Sequence, residues 1–250
     1  MYLIGTAHFS AESQRDVEEV IRKVKPNVVV VELCSSRLSI LSINEEMLMK
    51  ESSTLTLAKV QENVKAQGIV QGIMYSLFLS LSAQLTRELG MAPGGEFRRA
   101  VAEAKKIPGC IVQLGDRPVD ITLRRAVSSL SIWQKIKLGL GIIFSKPSIT
   151  KEEVEKCKQR DLLEEMLKEI TGEFPTLSKC FVDERDIYLA YSLQLASSPF
   201  SDVREPGIMI PSKVVGVVGI GHVPGIVKNW GKVQDADIPP LMKYVYLFSC

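Results

Sequence analysis

The apolar positions of this chain fall into short unbroken runs separated by stretches with helical spacing. Met1-Tyr2-Leu3-Ile4 is the first run. After Ser10 or Ser13, either of which can cap a helix, Val17, Val20, Ile21 and Val24 recur at i, i+3, i+4 and i+7, one apolar helical face. Pro26-Asn27 stops that helix. Val28-Val29-Val30-Val31 follows, a continuous β-branched run of the kind buried on both faces of a sheet. Strand, helix, buried strand is a βαβ unit, and its crossover should be right-handed. Cys110 to Leu114 predicts a further strand, ended sharply by Gly115-Asp116-Arg117-Pro118. Lys213 to Val218 predicts the last one. The fold class this implies is α/β: a mostly parallel central sheet with large helical insertions.

The insertions are long. Residues 35–107 read as helical, beginning with Leu38, Ile40 and Leu41 and broken by Pro93-Gly94-Gly95. A new helix starts near Glu96, with Phe97, Ala100, Val101 and Ala104 on one face. Residues 119–197 are again helical in pattern, with a capping box at Thr150 and Glu153. Leu177, Cys180, Phe181, Tyr188, Tyr191 and Leu195 mark a stripe near the end of this region. Ser197 to Pro211, polar and containing proline, predicts a loop. The organisation expected is one domain over 1–235 with a C-terminal tail over 236–250.

Composition narrows the function classes. Hydrophobic residues make up 46% of the chain, enough for a sizeable core. The net charge is +2, and no basic block interleaved with aromatics stands out, which argues against nucleic acid as a partner. Five widely spaced cysteines without a Cys-x-x-Cys pair argue against a disulfide framework or a zinc–cysteine site and fit a reducing compartment. The first residues carry no charged n-region and long apolar h-region, so an intracellular, non-secreted location is expected. Residues 66–86 lack charge and approach the length of a spanning helix, but Gln67, Gln71, Ser76, Ser80, Ser82 and Gln84 interrupt them. Leu130 to Phe144 sets Lys135 and Lys137 beside Trp133, a pattern that also suits an interfacial helix. Core packing is the preferred reading of both segments; peripheral membrane contact and homo-oligomerisation stay open.

The candidate chemistry starts from histidine. The chain has two, His8 and His222, and both stand in a Gly-x-x-His frame directly after a predicted strand. In open parallel sheets ligands bind at the carboxyl ends of the strands. His8, Glu32, Asp116-Arg117 and His222 all follow predicted strands, so parallel and adjacent strands would bring them to one edge. Glu32 ends a four-valine run, where an unpaired carboxylate is costly. Glu184, with Arg185 beside it, lies within the apolar stripe between Phe181 and Tyr188. Charges in such a position are paired or functional. Two histidines with carboxylates suit a divalent metal (manganese, cobalt or zinc) that keeps a position open for water. Arg117 or Arg185 would then hold a carboxylate or stabilise an oxyanion. A metal-free site using one histidine as general base is the alternative. His-Glu-x-x-His, a Walker loop, a dinucleotide fingerprint and a Gly-x-Ser-x-Gly elbow are all absent from the sequence.

The ordered set Gly5-Thr6-Ala7-His8-Phe9, Val30-Val31-Glu32-Leu33-Cys34, Met91-Ala92-Pro93-Gly94-Gly95-Glu96-Phe97, Leu114-Gly115-Asp116-Arg117-Pro118, Glu184-Arg185-Asp186 and Val217 to Ile226 resembles the TraB/PrgY family. The resemblance implies an erythromycin-esterase/ChaN-like α/β fold. It also implies kinship with the Tiki proteins, metal-dependent proteases whose Gly-x-x-His motifs are needed. On that basis His8 and His222 match the metal-binding positions, and Glu32, Arg117, Glu184 and Arg185 match other charged positions of the pattern. Eukaryotic relatives are associated with mitochondria, so the location implied is cytoplasmic or the mitochondrial outer surface. The reading preferred is a metal-dependent hydrolase acting on a peptide or protein. Its alternative is a non-catalytic adaptor or regulator at an organelle surface that reuses the fold.

Overall fold

The computed structural model describes residues 1–7, 10–42, 61, 65, 94–135, 175–201 and 209–243. His8 therefore lies outside the described residues, as do the 66–86 segment, residues 136–144 and the capping box at Thr150. The chain forms two compact units. The first comprises Met1–Leu41, Gly94–Pro118 and Lys179–Lys243; the second comprises Ser42–Pro93, Val119–Ser178 and Tyr244–Cys250.

In chain order the elements are β1 (Tyr2–Thr6), α1 (Ala11–Val24), β2 (Val28–Val31), a 3-10 helix (Ser35–Ser42), α2 (Gly95–Ala104), β3 (Ile111–Leu114), α3 (Val119–Ser129) and α4 (Pro175–Ser178). A π-helical turn (Lys179–Asp183) then precedes α5 (Glu184–Ala196), followed by β4 (Phe200–Ser201), β5 (Met209–Ile210) and β6 (Val214–Gly219). A 3-10 turn (Ile220–His222), α6 (Val223–Asn229), a 3-10 turn (Asp235–Asp237) and α7 (Ile238–Met242) complete the described chain. In the second unit, α3 and α4 are in contact.

The sheet of the first unit has the order β1-β6-β2-β3, and each neighbouring pair is parallel. Ile4 and Val31 both stand opposite Val217, and Val31 stands opposite Leu114, so β2 and β3 finish level while β1 and β6 run two residues further. Both faces are covered. Val30, Val214 and Val218 pack with Leu189, Ala190 and Leu193 of α5 and Ile226 of α6. Val29, Val31, Val215 and Val217 alternate with them, so they point to the opposite face, and all four are fully buried. Gly216, on the α5 side of β6, makes room for that helix: a Cβ there would fall 2.7 Å from Leu193 Cδ2 and 3.1 Å from Leu3 Cδ1.

The first helix follows its sequence signals. Ser10 Oγ accepts the Ser13 N–H at 3.1 Å as the N-cap, and Val17 and Ile21 are buried. In α2, Phe97, Ala100 and Ala104 are buried as the pattern predicts. Three expectations differ. Residues 35–42 form a 3-10 helix, in keeping with a stretch that lacks a sustained 3.6-residue period. The predicted loop 197–211 contains the short antiparallel pair β4–β5. The stripe from Leu177 to Leu195 does not stay buried along its length: Leu195 is 50% exposed, while Leu189, Ala190 and Leu193 are buried instead. The π-helical turn at 179–183 explains the shift. One extra residue in a helical turn rotates everything after it, so the buried face passes from Cys180 and Glu184 to Asp186, Leu189, Ala190 and Leu193.

Among the described residues no helix is long and apolar enough to cross a membrane. At the start of the second candidate membrane segment, Ile132 and Trp133 are strongly exposed.

Candidate functional site

Because β1, β2, β3 and β6 run parallel and end within two residues of one another, the residues that follow them share one edge. Glu32 follows β2, Gly115-Asp116-Arg117 follow β3, and His222 lies three residues beyond β6. The π-helical turn and the start of α5 bring Glu184, Arg185 and Asp186 to the same edge. Of the residues singled out in the sequence, Glu32, Arg117, Glu184, Arg185 and His222 are all found there.

Arg185 is the centre of the arrangement. Its Nε and Nη2 donate to the two oxygens of Asp116 at 3.0 and 2.9 Å, a bidentate fork. Nη2 also donates to Glu32 Oε1, and Nη1 donates to the Phe181 carbonyl at 3.2 Å. Burial would lower the Arg185 pKa, but the charges of Asp116 and Glu32 outweigh it and hold the guanidinium firmly protonated. Glu32 is anchored at its other oxygen, which accepts the Gly219 N–H at 2.6 Å and so ties the end of β2 to the end of β6.

Arg117 is wholly buried. Its Nη1 donates to Glu184 Oε2 at 2.7 Å and to the Leu241 carbonyl at 3.2 Å, and its Nη2 donates to the Cys180 carbonyl at 2.8 Å. The π-helical turn supplies that carbonyl, and Leu241 belongs to α7, within the stretch expected to be a tail. These acceptors enclose the guanidinium and tie the end of β3 to the π-helical turn, α5 and α7.

His222 completes the arrangement. Nδ1 lies 2.6 Å from Asp186 Oδ1, and Nε2 lies 3.4 Å from Glu32 Oε1 and 3.0 Å from Arg185 Nη1. Burial alone would lower its pKa; the Glu32 charge and the Asp186 hydrogen bond overcome this and push it up to about 9. A proton on Nε2 would face Arg185 Nη1. That contact becomes favourable only when Nε2 carries a lone pair. Four carboxylates (Glu32, Asp116, Glu184, Asp186) thus meet the guanidiniums of Arg37, Arg117 and Arg185 and the His222 ring, and with His222 protonated these eight charges balance.

Two participants were not singled out from the sequence as site residues. Asp186 had no separate signal, being the third charge of a Glu-Arg-Asp run. Arg37 donates from Nη2 to Asp116 and, at 3.2 Å, to the Glu32 carbonyl; its Nε is buried with no hydrogen-bond partner among the described residues.

A metal fits this donor set in part. A metal-ligating histidine ordinarily donates its other ring N–H to a carboxylate, which is the relation of His222 to Asp186. Nε2 and Glu32 Oε1 are then the donors nearest each other. Among the described residues no group of three or more His, Cys, Asp or Glu side chains converges as a metal set, and His8 is outside them.

Fold and edge together define an α/β protein with a parallel sheet and an ion-paired histidine centre at its carboxyl ends. The chain belongs to the TraB/PrgY/gumN family, whose family model matches residues 1–239. It is 50% identical over 246 residues to the TraB domain-containing proteins of Mus musculus and Homo sapiens, covering 97% of this chain and 65% of theirs. An uncharacterized protein of Methanocaldococcus jannaschii is 31% identical over 256 residues, covering 98% of this chain and 57% of its own length. The chain thus spans about two thirds or less of these relatives' length, 65% and 57%.

Proposed function

We propose that the carboxyl edge is the active site of a metal-dependent hydrolase acting on peptides or proteins. The observation that carries this reading is His222, whose Nδ1 is engaged by Asp186 at 2.6 Å while Nε2 is turned toward Glu32. His222 and His8 would hold the metal, with Glu32 adjoining. A bound divalent ion supplies a water of lowered pKa and polarises a carbonyl oxygen. Glu32 Oε1 would accept the proton of the attacking water. Arg185, whose Nη1 lies 3.0 Å from the same ring nitrogen, would stabilise negative charge developing on the carbonyl oxygen. Arg117 and Glu184 would keep α5 and the π-helical turn in register, since neither is open to a substrate.

The test is the metal content of the purified full chain by elemental mass spectrometry, with His8→Ala and His222→Ala alongside, followed by a peptide-cleavage screen. Stoichiometric metal in the wild type, lost in both variants, and cleavage that disappears with it are expected. No metal after reconstitution with manganese, cobalt and zinc would overturn the reading and leave the non-catalytic adaptor in its place.

A further inference from the structure

An imidazole offers a lone pair at one nitrogen only while its proton is held at the other. At His222 the surroundings distinguish the two: Nδ1 meets Asp186 Oδ1 at 2.6 Å, and Nε2 faces Glu32 and Arg185. The Asp186 side chain is 6% exposed and that of His222 is 12% exposed, so water does not compete freely for this bond. Asp186 sits on α5, and His222 immediately precedes α6. Where the two helices approach, α6 carries Gly225. A Cβ there would fall 2.8 Å from Asp186 Cβ and nearer still to its carboxylate. Gly225 lies in regular helix and does not have a positive φ, so backbone conformation does not call for glycine. Glycine also weakens a helix. What the position lacks is space.

We infer that Asp186 is the positioning residue of His222, holding the proton on Nδ1 and presenting Nε2 to the carboxyl edge, and that Gly225 is glycine so that the Asp186 carboxylate can reach the ring. This rests on reading His222 as the working group of the edge, but it concerns the orientation of the ring whether or not metal is bound. Both residues thereby join the site through His222, without touching a substrate themselves.

The experiment is NMR of the full chain labelled with 15N at histidine. Two imidazoles contribute, and the signals that remain in His8→Gln belong to His222. A low-field, slowly exchanging proton bound to Nδ1 of His222 is expected in the wild type. It is expected to be lost in Asp186→Ala and to exchange faster in the isosteric Asp186→Asn, whose neutral amide oxygen is a weaker acceptor. Gly225→Ala should lose it too, yet change the ring signals no further when added to Asp186→Ala. If Gly225→Ala alone fails to fold, the double variant should recover the folded state. Persistence of the Nδ1 proton in Asp186→Ala overturns the inference. So does a Gly225→Ala effect of equal size with and without Asp186, or a double variant that fails to fold where Asp186→Ala folds. An intact Nδ1 signal in a protein that takes up no metal would count against the hydrolase reading alone.

Discussion

Replacing Arg185 by methionine tests whether the charged edge is a buried, interdependent network. The guanidinium donates to both oxygens of Asp116 and to Glu32 Oε1, and its side chain is 14% exposed against 2% and 5% for its two acceptors. Three charge-assisted bonds at about 1.5–3 kcal/mol each would give an upper bound. Asp116 keeps Arg37 and the Arg117 N–H, however, and Glu32 keeps the Gly219 N–H, so neither carboxylate is stripped. A loss of about 3–5 kcal/mol, the usual cost of removing one partner from a buried ion pair, is therefore expected. Arg185→Lys restores the charge without the fork, and about 1–3 kcal/mol should remain lost. The assay is urea unfolding in a Trp133→Phe background. Trp230 packs against the sheet core, so its fluorescence then reports the first unit alone. The midpoint should fall with little change in the slope. A loss below about 1 kcal/mol for Arg185→Met, the range of solvent-exposed pairs, would refute the idea that this guanidinium holds the edge together.

Two further outcomes follow from the packing and charges away from the edge. The hydrogen bond from Lys106 lowers the Glu103 pKa; burial opposes this, and Arg22 supports it. The stability this contributes is present above the ordinary 4.5 and lost as pH falls through the lowered folded value, so the gap in urea midpoint between wild type and Glu103→Gln should close on acidification; a gap independent of pH would contradict it. Gly216→Ala should cost about 1–3 kcal/mol by overpacking against Leu193. Leu193→Ala should cost about 2–5 kcal/mol, and the double variant less than the sum, because the new methyl enters the space Leu193 leaves. Strict additivity would show that the two positions do not share that space.

The strands and their common edge were legible because valine runs advertise burial on both faces and each is followed by a polar residue. The α/β class and the gathering of Glu32, Arg117 and His222 could be read that way, whereas Glu184 and Arg185 stood out separately, as charges within an apolar helical stripe. Asp186 could not, because residues two apart on a regular helix diverge by about 200° and Glu184 is the one that fits the apolar stripe. The π-helical turn at 179–183, after which the buried face runs along Asp186, Leu189, Ala190 and Leu193, leaves no signature in hydrophobic spacing. Arg37 stands in a 3-10 helix, where no periodicity directs attention to a side chain. The position of β6 between β1 and β2 was also invisible, since strand order depends on long-range pairing rather than on any local run.

That strand order bears on how the molecule comes into being. The strand at the middle of the sheet is the last of the four along the chain, and β1 and β2 meet only through it. During synthesis the first three strands emerge without their central partner, so β2 can pair with β3 while β1 has no neighbour to join. Assembly then waits for a contact spanning more than two hundred residues, as between Thr6 and Gly219, and such distant pairings are slow to form. Until that moment apolar strand edges are open to pairing with other chains. A chain ending before Val214 would lack the strand that joins β1 to β2, and with it Gly219 and His222, through which the charged edge is anchored.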